Sequence, residues 1–300
     1  MENPQQCKKG HVDQTELEEL IKKEKQPLGS GGQGQVYKMK AKDGCFYAGK
    51  TSLKEEDLSL VKESHALSQF VDECGEYVLC FVGFYAIHGY YWVFTEYVQD
   101  LKSLFELIND GQRMNAEMVK NLINGLKFLH TKGVAHLDIK PENILINPAT
   151  NEIRYIDFGL ACMSDEKYEP VGTPYYLPPE AFKVADVEYV KNLKMKSDDP
   201  NVDPFELVKK LDIWSLGVTI WVSHHGNYMF NIAEAQLYLH KDNWMGFIEY
   251  KLTKKSLTKA YLKEVGRTYN IDLNDFINIH PQQRFLRFLG DAESTVKQVG

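Results

Sequence analysis

Between Leu20 and Lys50, apolar and polar residues alternate in short runs broken by glycine. This predicts strand, glycine loop, strand, turn and strand. Val36-Tyr37-Lys38-Met39-Lys40 carries the period of two, and Lys42-Asp43-Gly44 supplies the following turn. The period then changes. Leu58, Val61, Leu67 and Phe70 recur at mixed helical spacing and predict one amphipathic helix within 55–70, with Glu55, Glu56 and Asp57 suited to its N-terminal end. Two β-prone runs follow, Val78-Leu79-Cys80-Phe81-Val82 and Tyr90-Tyr91-Trp92-Val93-Phe94-Thr95, separated by a His88-Gly89 turn. From Asp100 onward helical spacing dominates. Leu101, Leu104, Phe105, Leu107 and Ile108 form one stripe, and Val119, Leu122, Ile123, Leu126 and Leu129 form a second that ends at His130. Both stripes read as core. Short strands are predicted at Ile144-Leu145-Ile146 and Ile153-Arg154-Tyr155-Ile156, with a turn over Asn147-Pro148-Ala149-Thr150-Asn151 between them.

Three hundred residues exceed the usual size of one hydrophobic core, so two units are expected. A hydrophobic content of 43% with 26% charged residues describes an ordinary globular chain. The net charge of -7 argues against a global nucleic-acid footprint and weakly favours basic substrate peptides. Cys7, Cys45, Cys74, Cys80 and Cys162 form no C-x-x-C pair and are odd in number. They are expected to be reduced thiols in a cytoplasmic setting, neither a disulfide frame nor a zinc site. The start, 1–14, is polar without a signal-peptide core, and no apolar run of membrane-spanning length occurs.

The chemistry concentrates in three strings. His136-Leu137-Asp138-Ile139-Lys140-Pro141-Glu142-Asn143 sets an acid, a lysine and an amide at fixed offsets, and Asp157-Phe158-Gly159 adds a second acid beside a glycine. Phosphoryl transfer from ATP needs such groups. Asp138 can orient an attacking hydroxyl and accept its proton, Lys140 can neutralise charge on the moving phosphoryl group, and Asn143 and Asp157 can hold Mg²⁺. Upstream, Leu28-Gly29-Ser30-Gly31-Gly32-Gln33-Gly34-Gln35-Val36 contains G-x-G-x-x-G, in which glycines let the backbone approach phosphate oxygens. Alone that motif also fits a surface hairpin or a dinucleotide site. The dinucleotide site needs a helix next, and the alternation after Val36 favours a hairpin.

These strings, with Ala48-Gly49-Lys50, Pro178-Pro179-Glu180, Asp212-Ile213-Trp214-Ser215-Leu216-Gly217 and Arg284, stand in the order found in eukaryotic-type protein kinases. The chain resembles that family over roughly 20–290. The resemblance implies an α+β, bilobal fold. An N-terminal extension (1–19) precedes a small lobe (20–98) with an antiparallel sheet and one helix, and a larger, mainly helical lobe (99–300) follows. It implies that Lys50 grips the α- and β-phosphates and pairs with a helix glutamate. Glu63 is the choice, with Glu56 and Glu73 as competitors. Nucleotide contacts are implied for Leu28, Gly29, Gly31, Gly34, Val36, Ala48 and Leu145, and for the hinge residues Glu96 and Val98, with Thr95 guarding the deep pocket. Asp212 is implied to anchor the catalytic loop, and Glu180 to pair with Arg284. Lys140 followed by Pro-Glu-Asn, and Gly172-Thr173 ahead of Pro174, resemble the serine/threonine class. There the hydroxyl of Thr173 would bridge Asp138 and Lys140.

Four departures matter. Leu137 stands where many kinases carry the arginine that receives an activation-segment phosphate, so activity independent of that phosphorylation is expected. Ser164, Tyr168 and Thr173 are the candidate acceptors to test. Gly49 replaces a larger residue and is expected to loosen its strand. The interval from Lys50 to Glu63, thirteen residues, is short. An acidic, turn-rich insertion spans roughly 183–210 and reads as a surface loop or as a docking site for a basic partner. The leading reading is a serine/threonine kinase acting with Mg-ATP on protein substrates. Its alternative is a pseudokinase that binds nucleotide or partners without turnover, and a small-molecule kinase on a related fold is a third class.

Overall fold

The computed structural model describes residues 14–22, 26–31, 34–41, 44–181, 203–230, 246–248, 250–252 and 257–289. The chain forms two compact units, one of residues 1–101 with 154–161, the other of 102–153 with 162–300.

The first unit is built on an antiparallel sheet of order β1-β2-β3-β5-β4: β1 Gln26–Gly31, β2 Gly34–Lys40, β3 Phe46–Thr51, β4 Phe81–Ile87 and β5 Tyr90–Glu96. The expected strand at Leu20 is instead the end of a helix, α1 (Gln14–Lys22). Helical spacing wins there because Leu17 and Ile21, one turn apart, reach one apolar cluster with Met39, Tyr47, Val82, Trp92 and Phe94. The β4–β5 turn works as predicted, with His88 and Gly89 both at positive φ (52° and 82°) as a two-residue hairpin demands. The helix predicted over 55–70 is α2 (Leu58–Ser68), and Asp57 caps it by accepting the Ser59 N–H at 3.0 Å. Its inward face differs from expectation. Leu60, Glu63, Ala66 and Leu67 are buried, as is Phe70, but Leu58 and Val61 are exposed. The cap starts the helix three residues later than the acids suggested, and Glu63 sets which face turns inward.

A second correction concerns the cysteines. Cys74 and Cys80 are joined in a disulfide across a six-residue separation, with Cα atoms 4.9 Å apart. Cys45 is likewise disulfide-bonded, and Cys162 is free and buried. The thiol argument for a reducing compartment therefore loses its basis at these positions.

The second unit holds β6 (Lys102–Ser103), α3 (Leu104–Asn109), α4 (Ala116–Thr131), β7 (Val134–Ala135), β8 (Ile144–Ile146), β10 (Cys162–Met163), α5 (Pro204–His225) and α6 (Lys259–Arg267); β9 (Ile153–Tyr155) straddles the division of the chain. The α4 stripe lies wholly in the core. In α3, Leu104, Leu107 and Ile108 are buried while Phe105 is exposed, which narrows the predicted stripe. Pro at the first turn and an Asp203 cap begin α5, whose interior positions from Leu211 to Ser223 are buried on every side. A helix apolar all round belongs at the centre of its unit. Most of the insertion, 183–202, lies outside the described residues, and the rest forms the cap and first turns of α5. No described helix is long and apolar enough to cross a membrane.

Candidate active site

The first unit contributes a charged triad. Lys50 leaves the middle of the sheet on β3, flanked by Val36 on β2 and Val93 on β5. Its Nζ donates to Glu63 at 2.6 Å and to Asp157 at 2.8 Å. The short interval between Lys50 and Glu63 is no obstacle, because Glu63 sits one and a half turns into α2 on the sheet-facing side. Glu56 and Glu73, the competitors, are exposed. Burial alone would lower the Lys50 pKa, but the charges of Glu63 and Asp157 outweigh it and hold the ammonium well above the ordinary lysine value. At Glu63 burial prevails. Burial pushes its carboxyl up, against the pull of Lys50. Phe158 is fully buried beside Phe70, ring centroids 5.7 Å apart, and this packing fixes the residue next to Asp157.

The glycine loop is a hairpin, β1 to β2, with Gly31 opposite Gly34. Gly34 is demanded by the fold: its φ is 134°, and a Cβ would lie 2.2 Å from the Thr51 carbonyl oxygen. Gly29 is not demanded, since a Cβ there would meet nothing within 4 Å. Leu28 is exposed at an irregularity of the same strand. Ala48 is buried and pairs with Thr95 across the β3–β5 ladder. In the hinge stretch, the Glu96 N–H donates to the Cys80 carbonyl at 2.9 Å and the Tyr97 N–H to the Phe46 carbonyl at 3.3 Å. The Glu96 carboxylate is also engaged, accepting from the Cys80 N–H at 3.0 Å.

The second unit holds the string 136–143. Asp138 is buried, and each of its oxygens accepts two hydrogen bonds. Oδ2 takes them from Lys140 Nζ (2.7 Å) and Asn143 Nδ2 (2.9 Å), Oδ1 from the Thr173 hydroxyl (2.6 Å) and N–H (3.0 Å). Lys140 also donates to the Thr173 hydroxyl oxygen at 2.8 Å, so that hydroxyl bridges acid and ammonium. Burial acts to raise the Asp138 carboxyl, but the hydrogen bond and charge of Lys140, with the Thr173 hydroxyl, hold it below the usual carboxylate range. The loop itself hangs from α5: Asp212 accepts the N–H groups of His136 and Leu137, both at 2.8 Å. Leu145 is half-buried on β8, opposite Ser103 of β6. Glu180 and Arg284 form a fully buried two-pronged pair at 2.6 and 2.9 Å.

Two features go beyond the sequence reading. His130 pairs with Asp212 at 2.9 Å, so the stripe's last residue helps hold the loop anchor. Tyr168 is buried, with its hydroxyl donating to the Ala181 carbonyl at 2.9 Å. No local pattern marks either role; the first depends on α5 arriving from far along the chain, the second on a carbonyl thirteen residues onward.

Residues 22–286 match the family described as protein kinase domain. The chain belongs to that family. Relatives include the probable serine/threonine-protein kinase FMP48 of Saccharomyces cerevisiae, 26% identical over 73% of this chain and 61% of that protein. The serine/threonine-protein kinase ksp1 of Schizosaccharomyces pombe is 27% identical over 78% of this chain and 47% of its own length. The serine/threonine-protein kinase STE20 of Debaryomyces hansenii is 32% identical over 48% of this chain and 12% of its own. The match thus spans less than two thirds of each of these relatives.

Proposed function

We propose that this chain is a serine/threonine protein kinase that transfers the γ-phosphoryl group of Mg-ATP to protein hydroxyls. The observation that carries the reading is the Thr173 hydroxyl held between the Asp138 carboxylate and the Lys140 ammonium. That bridge orders the acid and the ammonium that would face a substrate hydroxyl. The depressed Asp138 makes a poor base in the ground state. Its part is to orient the hydroxyl and to take the proton late, when bond formation to phosphorus has acidified it.

The donor set suits the expected cofactors. Asp157 offers carboxylate oxygens, and Asn143, whose amide nitrogen is committed to Asp138, offers an amide oxygen; both are hard ligands that match Mg²⁺. An Mg²⁺ ion held by Asn143 and Asp157 would supply positive charge against that of the phosphates. Lys50, kept protonated by its two carboxylates, supplies a fixed positive charge for the α- and β-phosphates. The open space over Gly29 admits a phosphate close to backbone. Of the hinge amides, Glu96 and Tyr97 are spent inside the sheet, which leaves Val98 to meet the adenine edge. Val36, Ala48 and Leu145 would supply apolar contacts to the ring. The acidic balance of the chain supports basic peptides as substrates.

The pseudokinase alternative rests on the short interval between Lys50 and Glu63, and the 2.6 Å pair removes that support. The test is transfer of labelled γ-phosphate from Mg-ATP to mixed basic proteins, beside Asp138→Asn. Phosphoserine or phosphothreonine that vanishes in the variant is expected. Nucleotide binding without transfer in the wild type would return the pseudokinase reading.

A further inference from the structure

The family's activation segment is ordinarily set by a phosphate on an arginine, and Leu137 removes that arginine. The structure shows what fills the position. Leu137 is buried in an apolar cluster with Tyr168, Cys162, Phe205, Val208 and Leu211. Its backbone sits at φ 62°, a conformation strained for a side-chain-bearing residue, which persists only where the surroundings hold it. Asp212 supplies one support through the Leu137 N–H. The cluster supplies the other.

Tyr168 reaches both ends of the segment that carries Thr173. Its ring belongs to the Leu137 cluster, and its hydroxyl donates to the Ala181 carbonyl, thirteen residues onward. Between these two fixings the chain turns at Gly172, where a Cβ would lie 2.7 Å from the Leu137 carbonyl oxygen. The next residue, Thr173, delivers its N–H and hydroxyl to Asp138. Leu137, the residue before Asp138, thus packs with Tyr168, and Gly172, the residue before Thr173, lies against the Leu137 carbonyl. A buried tyrosine whose hydroxyl is already bonded is also unsuited to being a phosphate acceptor.

We propose that Tyr168 is a positioning residue, an apolar strut that holds the segment against the catalytic loop in place of a phosphate–arginine pair. This rests on the kinase reading, so the test has one arm that does not need activity. Hydrogen exchange over 164–173 is measured on phosphatase-treated wild type, Tyr168→Phe and Tyr168→Ala. Steady-state kinetics follow kcat and the KM for ATP. Treated wild type is expected to keep its protection and its activity. Tyr168→Ala should lose protection and about ten- to hundred-fold in kcat, the scale of a misplaced catalytic group, with the KM for ATP nearly unchanged. Tyr168→Phe keeps the ring and should recover most of kcat. Partial unfolding would also lower apparent kcat at unchanged KM, but it would strip exchange protection from α4 and α5 as well as from 164–173 and would not be rescued by Phe. The proposal is overturned by a segment that stays unprotected until phosphorylated, or by Tyr168→Ala with full protection and kcat. A wild type that transfers no phosphate defeats the kinase reading alone, and the exchange arm still decides whether Tyr168 holds the segment.

Discussion

Phe94 occupies the volume that a side chain at Gly49 would need. A Cβ on Gly49 would lie 3.0 Å from the Phe94 ring and 2.8 Å from the Met39 methyl, and Phe94 is fully buried beneath the α1 cluster. The glycine therefore does not loosen β3; it makes room for a ring that fills the sheet's covered face. Gly49→Ile, a larger apolar residue of the kind usual here, is expected to destabilise by about 1–3 kcal/mol through overpacking. Urea unfolding measures it, and Phe94→Leu in the same chain should restore part of the loss. An unchanged midpoint for Gly49→Ile would show that Phe94 has another place to go.

This pair also marks the limit of the sequence. Contiguous strings were readable because their chemistry depends on local offsets: Asp138, Lys140 and Asn143 meet within one loop. The α4 stripe was readable because sixteen residues give its period several repeats. The inward face of α2 was not, since eleven residues allow two phases and only the Lys50 contact chooses between them. Gly49 with Phe94, Cys74 with Cys80, and Tyr168 with Leu137 are tertiary meetings. Nothing in the spacing of either partner announces them.

Lys140 should govern the acid limb of the pH profile. Asp138 is ionised below the ordinary carboxylate range because Lys140 and Thr173 outweigh its burial. Removing the ammonium in Lys140→Ala leaves burial less opposed, so the carboxyl pKa rises. The acid limb of kcat/KM is expected to move to higher pH, besides a fall in the plateau. A limb that stays put in the variant would mean that it reports a group other than Asp138.

Glu63→Gln separates catalysis from stability. Burial raises the Glu63 carboxyl, so its charged form is costly even beside Lys50, and the amide removes that cost together with the pair. Neutralising a buried ion of this kind leaves stability nearly unchanged when the remaining partner is still compensated, and Lys50 keeps Asp157. Phosphoryl transfer should nonetheless fall by about ten-fold or more, because the lysine is no longer fixed from two sides. Thermal melts and kcat/KM for ATP test both halves. Equal losses in the two would show the pair to be structural only.

The Cys74–Cys80 bridge should stabilise the first unit. It closes the turn between α2 and β4, where Gly75 donates to the Val78 carbonyl at 2.9 Å. The same turn receives Arg154 on the Glu76 carbonyl and the Tyr155 N–H on the Tyr77 carbonyl, two residues ahead of Asp157. On a loop-closure basis the bridge contributes about 2 kcal/mol. Cys74→Ser is expected to lower the unfolding free energy by about that amount. A reductant should lower wild type by at least that amount, since it also opens the Cys45 bridge, and should have a smaller effect on the variant. Identical unfolding of wild type with and without reductant would mean that the bridge contributes nothing measurable.

Arg284 and Glu180 make the clearest case of a pair that one partner cannot leave. Both are fully buried, and the guanidinium also donates to the carbonyls of Asn278 (2.7 Å) and Lys210 (3.1 Å) while lying 4.9 Å over the Trp214 ring. Lysine cannot reproduce the fork or the stacking. Arg284→Lys should therefore cost about 3 kcal/mol, near the value for stripping a buried charge of its partner. The double variant Glu180→Leu with Arg284→Met removes both charges and should recover part of that loss, since no ion is left stranded. If the double variant is instead the worse of the two, the backbone carbonyls that Arg284 serves matter more than the charge it neutralises.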